Sequence, residues 1–150
     1  RPRRWTSQKE RSMTEKDKRL SGYTEWQGGG AFEEHNGPFF YKEKPEGCDC
    51  AFIVKEKHTS EGGAVHGGML SIFANFASFM AARSSFSGGG ATTISLNTDF
   101  AEAGNLGDLI ESRCEIMHET KGMVFTRGAL VVGEKVLLSF SCVIKKLRKR

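Results

Sequence analysis

Apolar residues recur at helical spacing in one segment of the chain, from Met69 to Arg83. Large side chains stand three or four positions apart there, with alanines between them. The pattern predicts a helix that is apolar on nearly every side. Leaving several large apolar side chains in water would cost roughly 1.5 to 3 kcal/mol each. We therefore expect other elements of the fold to enclose this helix.

Six other segments carry the aromatic and β-branched residues that are typical of strands. They are Pro38–Lys44, Cys50–Lys57, Ala91–Phe100, Leu109–Glu119, Gly122–Val132 and Lys135–Lys146. The connections between several of them are short turns, which favours antiparallel neighbours. The order of the elements predicts an α+β fold, in which one curved antiparallel sheet of about six strands wraps round the central helix.

Charge divides the chain of 150 residues into a body and two basic ends. Residues 1–19 hold eight Lys and Arg against three acids, and residues 145–150 hold five Lys and Arg with no acid. The net charge of +4 therefore hides an acidic body. We expect a basic polar arm over 1–19, a single domain over 20–147 and a basic tail over 148–150.

The same features argue against several classes of protein. A nucleic-acid-binding domain usually displays its basic residues on a folded face, so nucleic acid is not an expected partner. The longest apolar stretch is shorter than the roughly 20 residues of a membrane span, and no apolar signal segment follows the basic start. We expect a cytoplasmic protein. The alternative, basic ends that bind nucleic acid or a membrane surface, predicts salt-sensitive binding that is lost when both ends are removed.

The cysteines and serines offer no evident metal site or nucleophile. Cys48 and Cys50 are too close in sequence for a usual zinc knuckle, and we expect them, Cys114 and Cys142 to be free thiols. No serine lies in a nucleophile-elbow motif, and no cysteine has an evident base partner. These observations disfavour catalysis through a covalent intermediate.

A distinctive loop precedes the predicted helix. Residues 58–68 read His-Thr-Ser-Glu-Gly-Gly-Ala-Val-His-Gly-Gly. This loop resembles the His-x-Asn-x-x-Gly-x-x-His-Gly-Gly motif of hotdog-fold acyl-CoA thioesterases of the phenylacetate-pathway (PaaI-like) type, and the similarity spans roughly residues 37–147. The resemblance implies a hotdog fold and a homodimer whose sheets join side by side, often doubled to a tetramer. It also implies active sites at the dimer interface and an acyl-CoA substrate, with no cofactor apart from the substrate's own coenzyme A.

The glycine pair Gly67-Gly68 opens the predicted helix. Backbone N–H groups there lie at the positive end of the helix dipole, with no side chain to obstruct a ligand. Such a donor can stabilise a thioester oxyanion by about 3 to 4 kcal/mol. In the resembled family the Gly68 N–H polarises the thioester carbonyl. We expect Gly68 to be that donor, Gly67 and Gly63 to contact substrate, and His66 and Ser60 to shape the loop; the alternative is a plain glycine helix start.

Asn75 is the main departure from the resembled family. The family places a carboxylate nine residues after the second motif histidine, and this count reaches Asn75. An amide cannot take a proton from water, and general-base help is worth roughly 10²- to 10⁴-fold. Three explanations stay open: a slow enzyme in which Asn75 and Thr93 position the water, a different base such as Glu61 or Asp99, or an engineered, inactivated variant. A structural alternative is a hydrogen bond of Asn75 across the dimer.

We therefore expect an acyl-CoA thioesterase that works by direct attack of water and is slowed by Asn75. Arg83, Lys121 and the basic tail are candidate partners for the coenzyme A phosphates. We expect Phe73, Phe76 and Phe79 to belong to the core rather than to a substrate pocket. The alternative from another class is a non-catalytic protein that binds acyl-CoA or an acyl carrier.

Overall fold

The computed structural model describes residues 17–149. Its strands are β1 (Thr24–Glu25), β2 (Phe40–Glu43), β3 (Cys48–Ile53), β4 (Ala91–Phe100), β5 (Leu109–Glu119), β6 (Met123–Val132) and β7 (Lys135–Lys146). They form one antiparallel sheet in the order β1-β2-β3-β5-β6-β7-β4. This confirms the predicted curved sheet, with seven strands instead of about six. The extra strand, β1, has two residues and is too short to show a sequence pattern.

Two α-helices accompany the sheet. They are α1 (Ala31–Asn36) and α2 (Gly67–Ala82), and the chain continues from α2 into a 3-10 turn over Arg83–Phe86. α2 packs against β3, β5, β6 and β7, and its residues Phe73, Ala74 and Ala77 have no exposed surface. The predicted enclosure of the central helix is confirmed. It begins two residues before the predicted start because His66 caps its first turn.

The segment after β3 leaves the sheet earlier than predicted. We expected a strand over Cys50–Lys57, but β3 ends at Ile53 and a 3-10 turn follows at Glu56–His58. The Lys55 N–H donates to His58 Nδ1 at 3.0 Å, and the His58 N–H donates to the Lys55 carbonyl at 2.9 Å. These bonds satisfy the backbone locally, and the His66 N–H then donates to the His58 carbonyl at 2.8 Å. The turn thus places the loop before α2.

The longer hairpins agree with the sequence pattern. Short turns connect β5 to β6 and β6 to β7, as the sequence predicts. β5 and β6 approach closely at Gly128, where a Cβ atom would lie 2.3 Å from the Arg113 carbonyl oxygen. Only glycine leaves room for this approach, which keeps the sheet tight behind α2.

β4 lies at one edge of the sheet. Its only partner among the described strands is β7, so its other edge has no ladder. Ile94 and Phe100 on this strand are 53% and 56% exposed. A ten-residue edge with apolar side chains can accept a further strand.

The described part of the predicted basic arm lies against the domain. Residues 1–16 of that arm, and Arg150 of the tail, lie outside the described residues. Lys18–Leu20 forms a 3-10 turn, and the Arg19 guanidinium donates to the Gly107 carbonyl at 2.9 Å.

All four cysteines are free thiols. Between residues 17 and 149, no helix has the length and apolar character needed to cross a membrane.

Candidate active site

A cavity of about 570 Å³ runs along one face of α2. α2 forms its floor, β4 forms one wall, and the segment from Trp26 to Phe39 forms the other. The lining is mostly apolar, and its aromatic members are Trp26, Phe32, Phe39, Phe76 and Phe79. The volume falls in the range of small-molecule sites, which combine apolar walls with a few placed polar groups.

Asn75 and Thr93 form a polar pair in this cavity. The Thr93 hydroxyl donates to Asn75 Oδ1 at 2.8 Å, and both residues line the cavity. The pairing of β4 with β7 shifts by one residue between Thr93 and Ser95. This β-bulge places Thr93 and Leu96 on the same side of β4, although residues three apart face opposite sides of a regular strand. The bulge therefore directs Thr93 toward α2.

The first turn of α2 carries its own cap. His66 Nδ1 accepts the Gly68 N–H at 2.9 Å, while the Met69 and Leu70 N–H groups donate to the His66 carbonyl. For the Gly67 N–H, the structure shows no acceptor within residues 17–149. The Phe100 ring covers this position, since a Cβ atom at Gly67 would lie 3.3 Å from it. One backbone donor at the helix start is thus capped and one is not.

The loop before α2 is closed on itself. The Ser60 hydroxyl donates to the Ala64 carbonyl at 3.2 Å, and the Gly63 N–H donates to the Ser60 carbonyl at 2.9 Å. Gly63 has a φ of +84°, which favours glycine. Neither Ser60 nor Gly63 lines the cavity. Their contacts hold the turn that leads to His66.

His58 links the loop to α1. Its Nδ1 accepts the Lys55 N–H, so Nε2 carries the proton and donates to the Asn36 carbonyl at 2.6 Å. Burial lowers the pKa of His58, and the cations of Lys57 and Lys55 act in the same direction, against the opposing effect of the Asn36 carbonyl. A neutral ring satisfies both bonds. His58 is therefore a buried structural link.

The two predicted phosphate-binding cations differ in their surroundings. Arg83 forms an ion pair with Glu43, and its guanidinium lies 5.0 Å from the centroid of the Tyr41 ring. Lys121 is exposed in the turn between β5 and β6. Neither residue lines the cavity. The charge of Arg83 is therefore already paired within the protein, whereas Lys121 is exposed to solvent.

Comparison with known proteins identifies the family. The family model described as the thioesterase superfamily matches residues 62–138, about half of the chain. The chain belongs to the thioesterase superfamily. This match covers the start of α2, the Asn75–Thr93 pair and β4 to β6.

Individual relatives agree with this assignment. A Pseudomonas aeruginosa protein, PA0474, whose name places it provisionally among the esterases, is 30% identical over 71% of this chain and 81% of its own length. The phenylacetic acid degradation protein PaaI of Thermus thermophilus has the same fold, with a TM-score of 0.69 at 23% identity over 77% of this chain and 98% of its own. A Streptococcus pneumoniae hypothetical thioesterase solved with coenzyme A has a TM-score of 0.67 at 17% identity, over 75% and 88% of the two chains. The predicted hotdog fold is confirmed.

The thioesterase cavity collects only part of the predicted site. Asn75 and Thr93 line it, whereas the residues of the helix start and the preceding loop do not. Glu61 and Asp99, the alternative bases considered from the sequence, are exposed and lie outside the lining. Among residues 17–149, no three His, Cys, Asp or Glu side chains gather in a geometry that could hold a metal ion.

The structure also corrects the sequence reasoning on aromatic residues. Phe73 is fully buried as expected, but Phe76 and Phe79 line the cavity of the thioesterase. The helical pattern shows which residues are apolar, but it does not show where the enclosing sheet leaves a gap. Sequence reasoning also missed Glu33 on α1, which lines the cavity. It lies on a helix of six residues, which is too short to show a helical pattern in the sequence.

Proposed function

We propose that this protein hydrolyses acyl-CoA thioesters by direct attack of water, with its active sites at the interface of a homodimer. The observation that carries the proposal is the hydrogen-bonded Asn75–Thr93 pair in an otherwise mainly apolar cavity. The apolar walls suit an acyl group, and the polar pair suits the water that attacks the thioester carbon.

The pair leaves hydrogen-bonding capacity for a water molecule. Asn75 Oδ1 accepts the Thr93 hydroxyl, so both Nδ2–H donors of Asn75 and the lone pairs of Thr93 Oγ1 stay available. A water between them accepts from Asn75 and donates to Thr93, which directs an oxygen lone pair toward the substrate. Attack of the water oxygen on the carbonyl carbon, with transfer of one water proton to a base, gives a tetrahedral intermediate. Its collapse breaks the carbon–sulfur bond, and the leaving coenzyme A sulfur takes up that proton.

The first turn of α2 supplies the oxyanion donors in this proposal. The Gly67 N–H has no acceptor among the described residues, and the Gly68 N–H becomes available when the His66 ring turns away from its cap. Each donor stabilises the developing oxyanion by about 3 to 4 kcal/mol. These residues do not line the cavity that holds Asn75, so in this proposal the two parts of the site come from different protomers.

The unpaired edge of β4 supports a homodimer. An antiparallel pair of β4 strands, centred on the strand, sets its Phe100 end opposite the Thr93 end of a second copy. Phe100 lies against Gly67, so this pairing carries the helix start of one protomer toward the cavity of the other.

We expect light scattering to show a dimer or a dimer of dimers. Ile94→Lys should disrupt assembly and hydrolysis together, whereas Val136→Lys, at an exposed apolar position on β7, should retain both.

The decisive experiment is thiol release from a panel of acyl-CoAs. We expect hydrolysis by the natural chain and a higher kcat for Asn75→Asp, because a carboxylate at this position can accept a proton from the attacking water. If neither protein releases thiol from any member of the panel while both bind coenzyme A, the thioesterase proposal is wrong.

A binding protein without catalysis is the second candidate. Two observations favour it: α2 carries no Asp or Glu, and the Gly68 N–H is already capped by His66. Such a protein would retain an acyl-CoA or an acyl carrier in the cavity without hydrolysing it. Calorimetric binding without thiol release from any substrate would support this candidate.

A further inference from the structure

We infer that Glu33 of α1 is the general base that activates the attacking water, in place of a carboxylate on α2. This inference rests on the proposed thioesterase function. It assigns a proton acceptor to a site in which Asn75 cannot act as one.

Glu33 is the ionisable group of the cavity. Of the described residues that line it, no other carries an ionisable side chain. Glu33 is half-buried, and within residues 17–149 its carboxylate has no hydrogen bond or ion pair. The carboxylate therefore has all its acceptor sites available for a water molecule or a substrate.

The packing of α1 places Glu33 on the lining of the cavity that holds the polar pair. A Cβ atom at Gly29 would lie 2.8 Å from Glu33 Cβ and 3.1 Å from Trp26 Nε1, so both side chains pack against the backbone of Gly29. The Trp26 ring lies 6.2 Å from the Phe76 ring, and Phe76 follows Asn75 on α2. Glu33, Trp26 and Asn75 thus belong to one continuous wall and floor.

α1 is held firmly enough to position a catalytic group. The His58 Nε2–H donates to the Asn36 carbonyl at 2.6 Å, and Lys57 Nζ donates to the His35 carbonyl at 2.7 Å. The Asn36 side chain donates to the Phe32 carbonyl at 2.8 Å. A helix of six residues would be marginal in isolation. Here buried and charged partners fix its C-terminal end.

The proton balance of the step is complete. Asn75 and Thr93 hold the water, and the Glu33 carboxylate accepts one of its protons as the water oxygen bonds to the thioester carbon. The carbonyl electrons move to the oxyanion. When the intermediate collapses, the carbon–sulfur bond breaks and the thiolate takes the proton from Glu33, which regenerates the carboxylate.

Two carboxyl-to-amide variants test the inference. Glu33→Gln keeps the shape of the side chain and removes its basicity. Glu34→Gln is the matched control, because Glu34 is the next residue of α1 but is exposed and lies outside the cavity lining. We expect Glu33→Gln to lower kcat by about 10²- to 10⁴-fold with little change in KM. It should also lose the acid limb of the pH dependence of kcat, whereas Glu34→Gln should retain natural kcat and pH dependence.

A rescue experiment separates loss of the base from general damage. In the double variant Glu33→Gln with Asn75→Asp, the carboxylate returns on α2, and we expect hydrolysis and an acid limb to return. A second variant, Gly29→Ala, keeps the Glu33 carboxylate but shifts the position of its side chain. We expect it to lower kcat without preventing the binding of coenzyme A.

The outcomes are distinguishable. If the natural chain hydrolyses acyl-CoA and Glu33→Gln keeps its kcat and pH dependence, the inference is wrong and the proposed function stands. An increase in KM alone would make Glu33 a substrate contact and would also overturn the inference. If the natural chain releases no thiol from any substrate, the proposed function falls and the inference falls with it.

Discussion

The start of α2 and the middle of α2 both present polar groups, but they satisfy them in different ways. At the start, the groups are backbone amides, and the chain itself caps one of them through the His66 ring. In the middle, the Asn75 side chain accepts from Thr93 on β4 and keeps its own donors for the cavity. A backbone donor is fixed in place by the helix, whereas the side-chain pair depends on the alignment of two distant segments.

Apart from the Glu33 variant, the largest effect should come from Gly68→Ala at the helix start. A Cβ atom there would lie 2.9 Å from His66 Nδ1, so the ring and the amide must separate. Alanine keeps the N–H, but its methyl group crowds the place of the thioester oxygen beside this donor, which should lower kcat about 10²- to 10³-fold in a thiol-release assay. Gly62→Ala is the matched control, because a Cβ atom at Gly62 meets no atom within 4 Å. Natural kcat in the Gly68 variant would remove this turn from the mechanism.

The next largest effect concerns His58, which links the loop before α2 to α1. His58→Phe keeps a ring against Phe52 but leaves the Lys55 N–H and the Asn36 carbonyl without partners. We expect the free energy of unfolding to fall by about 2 kcal/mol in urea titrations at neutral pH. His35→Gln, at an exposed position on α1, should leave stability unchanged.

The pH dependence of stability follows from the same residue. Burial lowers the pKa of His58 in the folded protein, whereas the pKa of His58 in the unfolded chain is about 6.5. Between these two pKa values the unfolded chain binds more protons than the folded protein. The His58 contribution to stability is therefore present above about pH 6.5 and is lost as the pH falls toward the lowered folded pKa. Urea titrations of the natural chain and of His58→Phe across this range should converge at low pH; a constant difference would contradict the assignment.

A smaller effect is expected at Thr93 of β4, the hydrogen-bond partner of Asn75 in the middle of α2. Thr93→Val keeps the shape of the side chain and removes the hydroxyl that bonds Asn75. We expect kcat to fall about tenfold, equivalent to about 1.4 kcal/mol, with KM unchanged. Thr92→Val, at an exposed position on the other side of β4, is the control and should match the natural chain.

The smallest effect should come from the surface charge at Lys121. Lys121→Ala is expected to raise KM for acyl-CoA about two- to fourfold at low ionic strength and to lose this effect at high salt, because exposed charges are screened. Lys18→Ala, at the other end of the described chain, should not change KM. An unchanged KM for Lys121→Ala at low salt would exclude a role for Lys121 in phosphate binding.

The long patterned elements of the fold were predictable, and so were the short strands β2 and β3, whereas β1 was not. α2 and the four strands from β4 to β7 carry ten or more residues each, enough for a helical or alternating pattern to emerge. β1 has two residues and α1 has six, and neither shows a period. The premature end of β3 was missed because His58 satisfies the backbone of the turn through its side chain.

Prediction of the site followed the same division. The family motif, counted from His66, located Asn75, and the resemblance to relatives with a serine at the matching place located Thr93. The His66 cap on Gly68 and the β-bulge that turns Thr93 toward α2 are local geometries that no residue pattern announced. Glu33 lies far from both residues in sequence, and only the packing of α1 over α2 brings it to the cavity.

The sequence by itself determined the enclosed helix, the antiparallel sheet and the motif that identifies the family, because each depends on residues that are neighbours in the chain. Only the tertiary structure decided which polar groups meet. Hydrogen bonds and cavity walls join segments from distant parts of the chain, and their contacts depend on packing angles and strand registers that a one-dimensional pattern does not contain.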